Sequence, residues 1–356
     1  MSEMKIPTPY VVFLGDAIDF KQAKVACGIA EWRPDLCVGQ MKLEGCQVDL
    51  GLPDMTFDDL VQQPEAQTFL IGISPYTTSL PMNYRESVIK AMRLGLNIAS
   101  PLHDRLDDEL EAIAAQCGVQ IYNFRHRPHN YPKGNGLPRR GLRLLTVGTD
   151  CACGKKFTAL SLTRALQEQG AKATFRATGQ TGFIISQSGI NNDTIEADFL
   201  SGAAEWLSPE NDADHWDVIE GQGALSHPSF GGGSLSLIYG SQPDVIVMCT
   251  EPGREFQRGV FRTPLPLIEE IQNVLHFARR TNPLVRLGAI SLFTKNLTDS
   301  ERARAFDEAR QIADQFGAQV FDPQVGGNDF NTFVTALIDR ADDAREEAEH
   351  AAEAEA

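Results

Sequence analysis

No apolar run in this 356-residue chain reaches the roughly 18–20 residues that a membrane-spanning helix needs. The first residues, MSEMKIPTPYVVFLG, have no basic stretch followed by an apolar segment and a cleavage site, and YVVFLG is only strand-sized. A cytoplasmic protein without a signal peptide is therefore expected. Positive charge is scarce: 32 Lys and Arg against 48 Asp and Glu leave a net charge of −16. General nucleic-acid binding, which needs basic surface for phosphate contacts, is not expected. The seven cysteines are irregularly spaced, which points to reduced thiols rather than a disulfide framework. Cys151 and Cys153 form a Cys-x-Cys pair, but no second cysteine pair or nearby histidine pair completes a tetrahedral site. No metal is expected there. A dinucleotide fingerprint is missing too: the first strand runs into GDAIDF instead of G-x-G-x-x-G, so NAD is not assigned.

What remains is an ordinary globular composition, 42% hydrophobic and 22% charged, with length enough for two or three domains. PYVVFLGDA and TFLIGISP read as strands. FKQAKVACGIAEWRP reads as a helix, and NYRESVIKAMRLGLNIAS and LDDELEAIAAQCGVQIYNF each as a helix followed by a strand. This alternation predicts a Rossmann-like N-terminal domain over residues 1–124. A basic Pro/Gly-rich stretch opens a linker, 125–142. A second alternating pattern over 143–340 predicts a doubly wound α/β domain of the P-loop type. Within it, GQTGFIISQSGINNDTI reads as a loop. The acidic, Ala-rich tail 341–356 reads as a frayed or solvated helix.

The second pattern opens with LLTVGTDCACGKKFTAL: an apolar strand, a turn and a helix. A phosphate loop works through successive backbone N–H groups, the positive end of the following helix and a lysine. Thr149, Asp150, Cys151, Ala152, Cys153, Gly154, Lys155, Lys156 and Phe157 are the expected phosphate-binding residues. Against G-x-x-x-x-G-K-[ST] the loop departs twice. Thr149 stands at the first glycine position, and Lys156 stands where a hydroxyl normally holds Mg²⁺. An ammonium cannot ligate Mg²⁺ and repels it. A ligand whose phosphates serve as a handle, such as coenzyme A, suits the loop better than one whose phosphates are cleaved.

Three further segments follow strands. DVIEGQGALSHPSFGGG delivers Glu220 to a strand end, where a carboxylate can hold metal or accept a proton, with Gln222 and His227 beyond it. RATGQTGFIIS carries Arg176, Thr178, Gln180 and Thr181, with Asp193 in the polar stretch after it. CTEPGREFQRGVFR carries Arg254, Arg258 and Arg262, a cluster suited to carboxylate or phosphate; Lys295 follows a later strand.

GTDCACGKK with VIEGQGAL resembles dethiobiotin synthetase, which implies an ATP- and Mg-dependent ligase or kinase as one alternative. A likeness over nearly the whole chain is to the two-domain family that includes D-glutamate N-acetyltransferases. It rests on TVGTDCACGKK, RATGQTG, DVIEGQGALSHPSFGG and CTEPGREFQRG, in that order after a Rossmann-like domain. This resemblance implies acetyl-CoA as donor, D-glutamate as acceptor and N-acetyl-D-glutamate as product. Under it, Glu220 is the first candidate for the base, with His227 and Asp193 in reserve. Arg254, Arg258, Arg262 and Lys295 are candidates for the acceptor carboxylates, and glycine-rich turns at 221–223 or 231–233 for the oxyanion. A homodimer is expected because pockets in such chains often lie at interfaces.

Overall fold

A computed structural model of the chain describes residues 4–62, 65–73, 80–126 and 130–355, the last four without their side chains. The end of the expected TFLIGISP strand and part of the expected linker, 127–129, lie outside the described residues. The chain forms two compact units. Residues 1–129 and 179–194 make the first; 130–178 and 195–356 make the second.

In the first unit the strands are β1 (Tyr10–Gly15), β2 (Cys37–Lys42), β3 (Thr68–Ile71), β4 (Asn97–Ser100) and β5 (Ile121–Asn123). The helices between them are α1 (Lys24–Trp32), α2 (Phe57–Gln62), α3 (Met82–Arg93) and α4 (Asp108–Cys117). The sheet is parallel in the order β2-β1-β3-β4-β5. Every residue of β1 is buried, as expected for a parallel strand covered on both faces.

The second unit opens with β6 (Leu142–Gly148), α5 (Lys155–Glu168) and β7 (Ala173–Arg176). The chain then contributes a short helix, α6 (Gln180–Ser186), to the first unit. Sequence reading expected a loop here, over GQTGFIISQSGINNDTI. The apolar run Phe183–Ile185 is buried instead. Phe183 stacks on Phe124 at 5.8 Å, and the Ile185 carbonyl accepts from Arg33 at 3.3 Å. Burial against distant partners overrides the local reading.

The second unit continues with α7 (Leu200–Leu207), β8 (Trp216–Ile219), α8 (Gly231–Ser241), β9 (Val245–Thr250) and α9 (Leu267–Ala278). It ends with β10 (Arg286–Leu292), α10 (Asp299–Ala313), β11 (Gln319–Phe321) and α11 (Asn328–Glu355). Its parallel sheet runs β11-β10-β9-β6-β8-β7. All seven residues of β6, the strand that feeds the phosphate loop, are buried. α11 closes the core: Trp216 on β8 is fully buried and donates its indole N–H to the Leu337 carbonyl at 2.9 Å. The helix continues unbroken through the acidic tail. Residues Asn135 and Gly136, from the expected linker, donate their amides to buried Glu205 on α7 at 2.9 and 2.8 Å.

Both α/β domains expected from the alternating pattern are thus present. β6 is flanked by β8 and β9, so the loop at its carboxyl end sits at the middle of the sheet's edge. That is where ligands bind in open α/β sheets.

Candidate functional site

The loop after β6 has the backbone of an anion cradle. Ala152 and Gly154 both adopt left-handed conformations, with φ of 53° and 103°. Such alternation turns successive N–H groups to one side. α5 starts at Lys155 and runs 14 residues. A Cβ at Gly148 meets Cys153 Sγ at 2.4 Å and the Cys249 carbonyl at 3.0 Å, so a larger residue has to displace them. Lys155 is buried, and its Nζ donates to the Asp150 carbonyl at 2.6 Å. Lys156 and Phe157 are half-buried on the first turn of α5. Thr158, the nearest hydroxyl in α5, faces the sheet and hydrogen-bonds Ser291 Oγ at 2.8 Å. It does not replace the hydroxyl that Lys156 displaced.

Asp150 organises the loop. Its carboxylate is fully buried. Oδ1 accepts the Cys151 amide at 2.7 Å; Oδ2 accepts the Arg258 amide at 2.8 Å and an ion pair from Arg254. Arg254 also donates to the carbonyls of Cys151 at 2.6 Å and Ala152 at 3.3 Å, and holds Glu251 through Nε at 2.9 Å and Nη2. Arg254 has five N–H donors, and these contacts engage them all. A substrate carboxylate therefore finds no donor left on it. This corrects its expected role: Arg254 binds the loop, not the acceptor.

His227 is also part of this support. Nδ1 accepts the Ser229 amide at 3.1 Å, so the proton sits on Nε2, which faces the Arg258 carbonyl at 3.2 Å and Asp150 at 3.7 Å. The side chain is fully buried. Its one basic lone pair is engaged, so it offers no free nitrogen to a substrate amine. Asp150, Cys151 and His227 form the one metal-sized group of ligand atoms among the described residues, all within 4.8 Å of one another. A cation there would have to compete with the Arg254 guanidinium already on Asp150. Burial pushes the Cys151 thiol up, so this loop sulfur is not poised as a thiolate.

Glu220 follows β8, on the other side of β6. It is 5% exposed; Oε2 accepts the Thr178 amide at 3.0 Å. Thr178 Oγ1 donates to the Glu220 carbonyl at 2.7 Å and accepts from Gln222 Nε2 at 3.0 Å. Gly221 brings this strand end against the loop: a Cβ there overlaps the Thr146 carbonyl at 1.7 Å and meets Lys155 Cδ at 3.1 Å. The Gly221 amide donates to Thr146 Oγ1 at 3.0 Å and the Gly231 amide to the His227 carbonyl at 2.9 Å. Neither amide is available to an oxyanion; Gly232 and Gly233 lie in the first turn of α8.

The other expected residues fall in different places. Arg176 is bound to buried Asp217 at 2.7 Å, a pairing that holds β7 to β8. The side chains of Arg258, Arg262 and Lys295 are exposed. Gln180 and Thr181 belong to the first unit, and so does Asp193, which pairs with Arg125. Sequence reading missed Glu270. It lies on the buried face of α9, 1% exposed, with Oε1 accepting the Ser226 amide at 3.2 Å and Oε2 unpartnered. Burial raises its pKa. The signal was present: an acid in the apolar stripe that contains Ile271, Val274 and Ala278.

Comparison with known proteins agrees with this architecture. Residues 133–330 match the P-loop domain model described as a domain of unknown function, DUF1611_C, and residues 41–127 its Rossmann-like partner, DUF1611_N. The chain belongs to the DUF1611 family. Within the family it is 41% identical over 321 residues to a D-glutamate N-acetyltransferase of Tritonibacter scottomollicae, covering 89% of this chain and 95% of the relative. It is 40% identical over 329 residues to one from a Pseudoalteromonas species, covering 92% and 98%. The fold is similar to that of a DUF1611 family protein from Anabaena variabilis, with a TM-score of 0.79 at 26% identity over 93% of this chain and all of the other. At such identity over nearly full length the enzyme class carries over: the protein is an N-acetyltransferase. No helix among the described residues is long and apolar enough to cross a membrane.

Proposed function

We propose that this enzyme acetylates the amino group of D-glutamate, with acetyl-CoA as donor and the CoA phosphates held by the loop at 148–156. The observation that carries the reading is the pairing of two lysines at the start of α5 with a buried carboxylate, Glu220, at the next strand end. Lys155 and Lys156 supply counter-charge to phosphates that are gripped and not cleaved. The relatives' acceptor is taken over as this enzyme's acceptor.

In the reaction the amine nitrogen attacks the thioester carbonyl carbon. The ammonium proton passes to Glu220, the C–S bond breaks, and the departing sulfur takes up a proton as the free thiol. The Glu220 carboxylate is held in place by the Thr178 amide, which donates to its Oε2, and a positioned carboxylate can serve as base. The amides of Gly232 and Gly233 are candidates for the oxyanion, since the first turn of a helix has unpaired donors. Arg258, Arg262 and Lys295, exposed beyond the strand ends, are the remaining candidates for the two acceptor carboxylates.

The test is acetyl-CoA with a panel of D- and L-amino acids in metal-free buffer, following free thiol and acetylated product. Thiol release with D-glutamate is the expected result. No thiol with any acceptor, and ADP formed from Mg-ATP, would return the reading to a ligase like dethiobiotin synthetase.

A further inference from the structure

A cleft of about 550 Å³ opens beside the phosphate loop, within the second unit. Thr149, Thr250 and Arg254 give it polar walls, and Leu265, Leu292 and Ala309 apolar ones. Nothing in the catalytic reading above uses it. Three observations bear on what it takes.

It is continuous with the phosphate cradle, because Thr149 belongs to the loop and Arg254 bonds the loop carbonyls at 151 and 152. It lies on a defined side of the cradle. Thr250 and Leu292 end β9 and β10, whereas Glu220 follows β8, and β6 with its loop stands between β9 and β8 in the sheet. A ligand anchored by phosphates at the loop therefore extends two ways: its reacting end toward Glu220 and its inert end into the cleft. Finally, the walls suit a neutral ring. Arg254, the cation among the lining residues, has every donor engaged, and the carboxylates of Glu251 and Glu308 also stand there, so the ribose 3′-phosphate of coenzyme A stays outside the cleft. An uncharged, flat group with an amine donor fits these walls.

We infer that the cleft seats the adenine nucleoside end of the phosphate-bearing ligand. This rests on the reading of Glu220 as the reacting side. Adenosine diphosphate is common to coenzyme A and ADP, so both share this chemistry, and the cleft grips the end of acetyl-CoA that takes no part in transfer.

The experiment fills the cleft and compares ligands that carry different ends. Ala309→Leu narrows it from α10; Thr263→Trp narrows it from an exposed position on the rim and keeps the test open if the buried substitution fails to fold. Binding of ADP, CoA, 4′-phosphopantetheine and inorganic pyrophosphate is measured by calorimetry on the full chain in EDTA. ADP and CoA are expected to weaken by more than about tenfold, with phosphopantetheine and pyrophosphate unchanged. Unchanged ADP and CoA binding, or weakening of phosphopantetheine in their place, overturns the assignment. The outcome separates from the transfer reading. Cleft-dependent ADP and CoA binding without any acetylated product keeps the cleft and removes the donor assignment. Normal product formation with unchanged KM for acetyl-CoA in both variants does the reverse.

Discussion

Arg254 and Asp150 are joined across 104 positions of sequence by an ion pair whose carboxylate is wholly buried. The same guanidinium holds the two loop carbonyls that follow Asp150. The phosphate loop is thus shaped from outside itself, by the segment after β9. A metal ion is the usual partner of such a loop; here an arginine fixes the backbone and two lysines open the helix that follows.

Removing the arginine leaves a buried carboxylate without its cation. Arg254→Ala is expected to lose about 3–5 kcal/mol of stability, the usual cost of stripping one partner from a buried pair. Arg254→Lys keeps the charge but not the fork that reaches Asp150, Cys151 and Ala152 together. It should remain folded with a raised KM for acetyl-CoA and a largely preserved kcat. Chemical denaturation and steady-state kinetics check both; an unchanged KM in a folded Arg254→Lys enzyme contradicts the loop-shaping role.

Lys156→Thr restores the hydroxyl of an ordinary phosphate loop. CoA binding should weaken by about tenfold, the worth of one charge-assisted hydrogen bond. Acetyl transfer should gain no dependence on Mg²⁺. Calorimetry with and without the metal reads this directly, and tighter binding or Mg-stimulated turnover would count against the twin-lysine account.

Glu220→Gln preserves an oxygen for the Thr178 amide and removes the basic carboxylate. The expected loss is about 10²–10⁴-fold in kcat with KM little changed. His227, whose lone pair already accepts the Ser229 amide, should not take over as the base in this variant. A loss below about tenfold in the Gln variant moves the base elsewhere.

Glu270 predicts a pH effect on stability. Burial raises its folded pKa above its ordinary value, so the folded state holds the proton more tightly than the unfolded chain does. Its contribution is full below the ordinary carboxyl range and is lost as pH rises through the raised value. Glu270→Gln keeps the acceptor for Ser226 and cannot ionise. Its melting temperature relative to wild type should therefore climb as pH rises above the ordinary carboxyl range. A difference that stays flat as pH rises shows that Glu270 does not titrate in the folded protein.

The sequence alone determined the two α/β domains and the phosphate loop, because both are written in contiguous residues. Strands buried on both faces read as unbroken apolar runs such as YVVFLG and VIVMCT. The loop is one contiguous segment between β6 and α5. Only the tertiary structure decided what surrounds the loop. Arg254 looked like an anion binder, and its donors are engaged by carbonyls about 100 positions away. Asp193 and Gln180 lie near Arg176 in the sequence, yet they fold into the other unit. Glu270, which the sequence reading passed over, is buried on α9. A side chain's role depends on which of its donors, acceptors and charges are already satisfied. Those partners come from distant strands and helices, so spacing along the chain does not specify them.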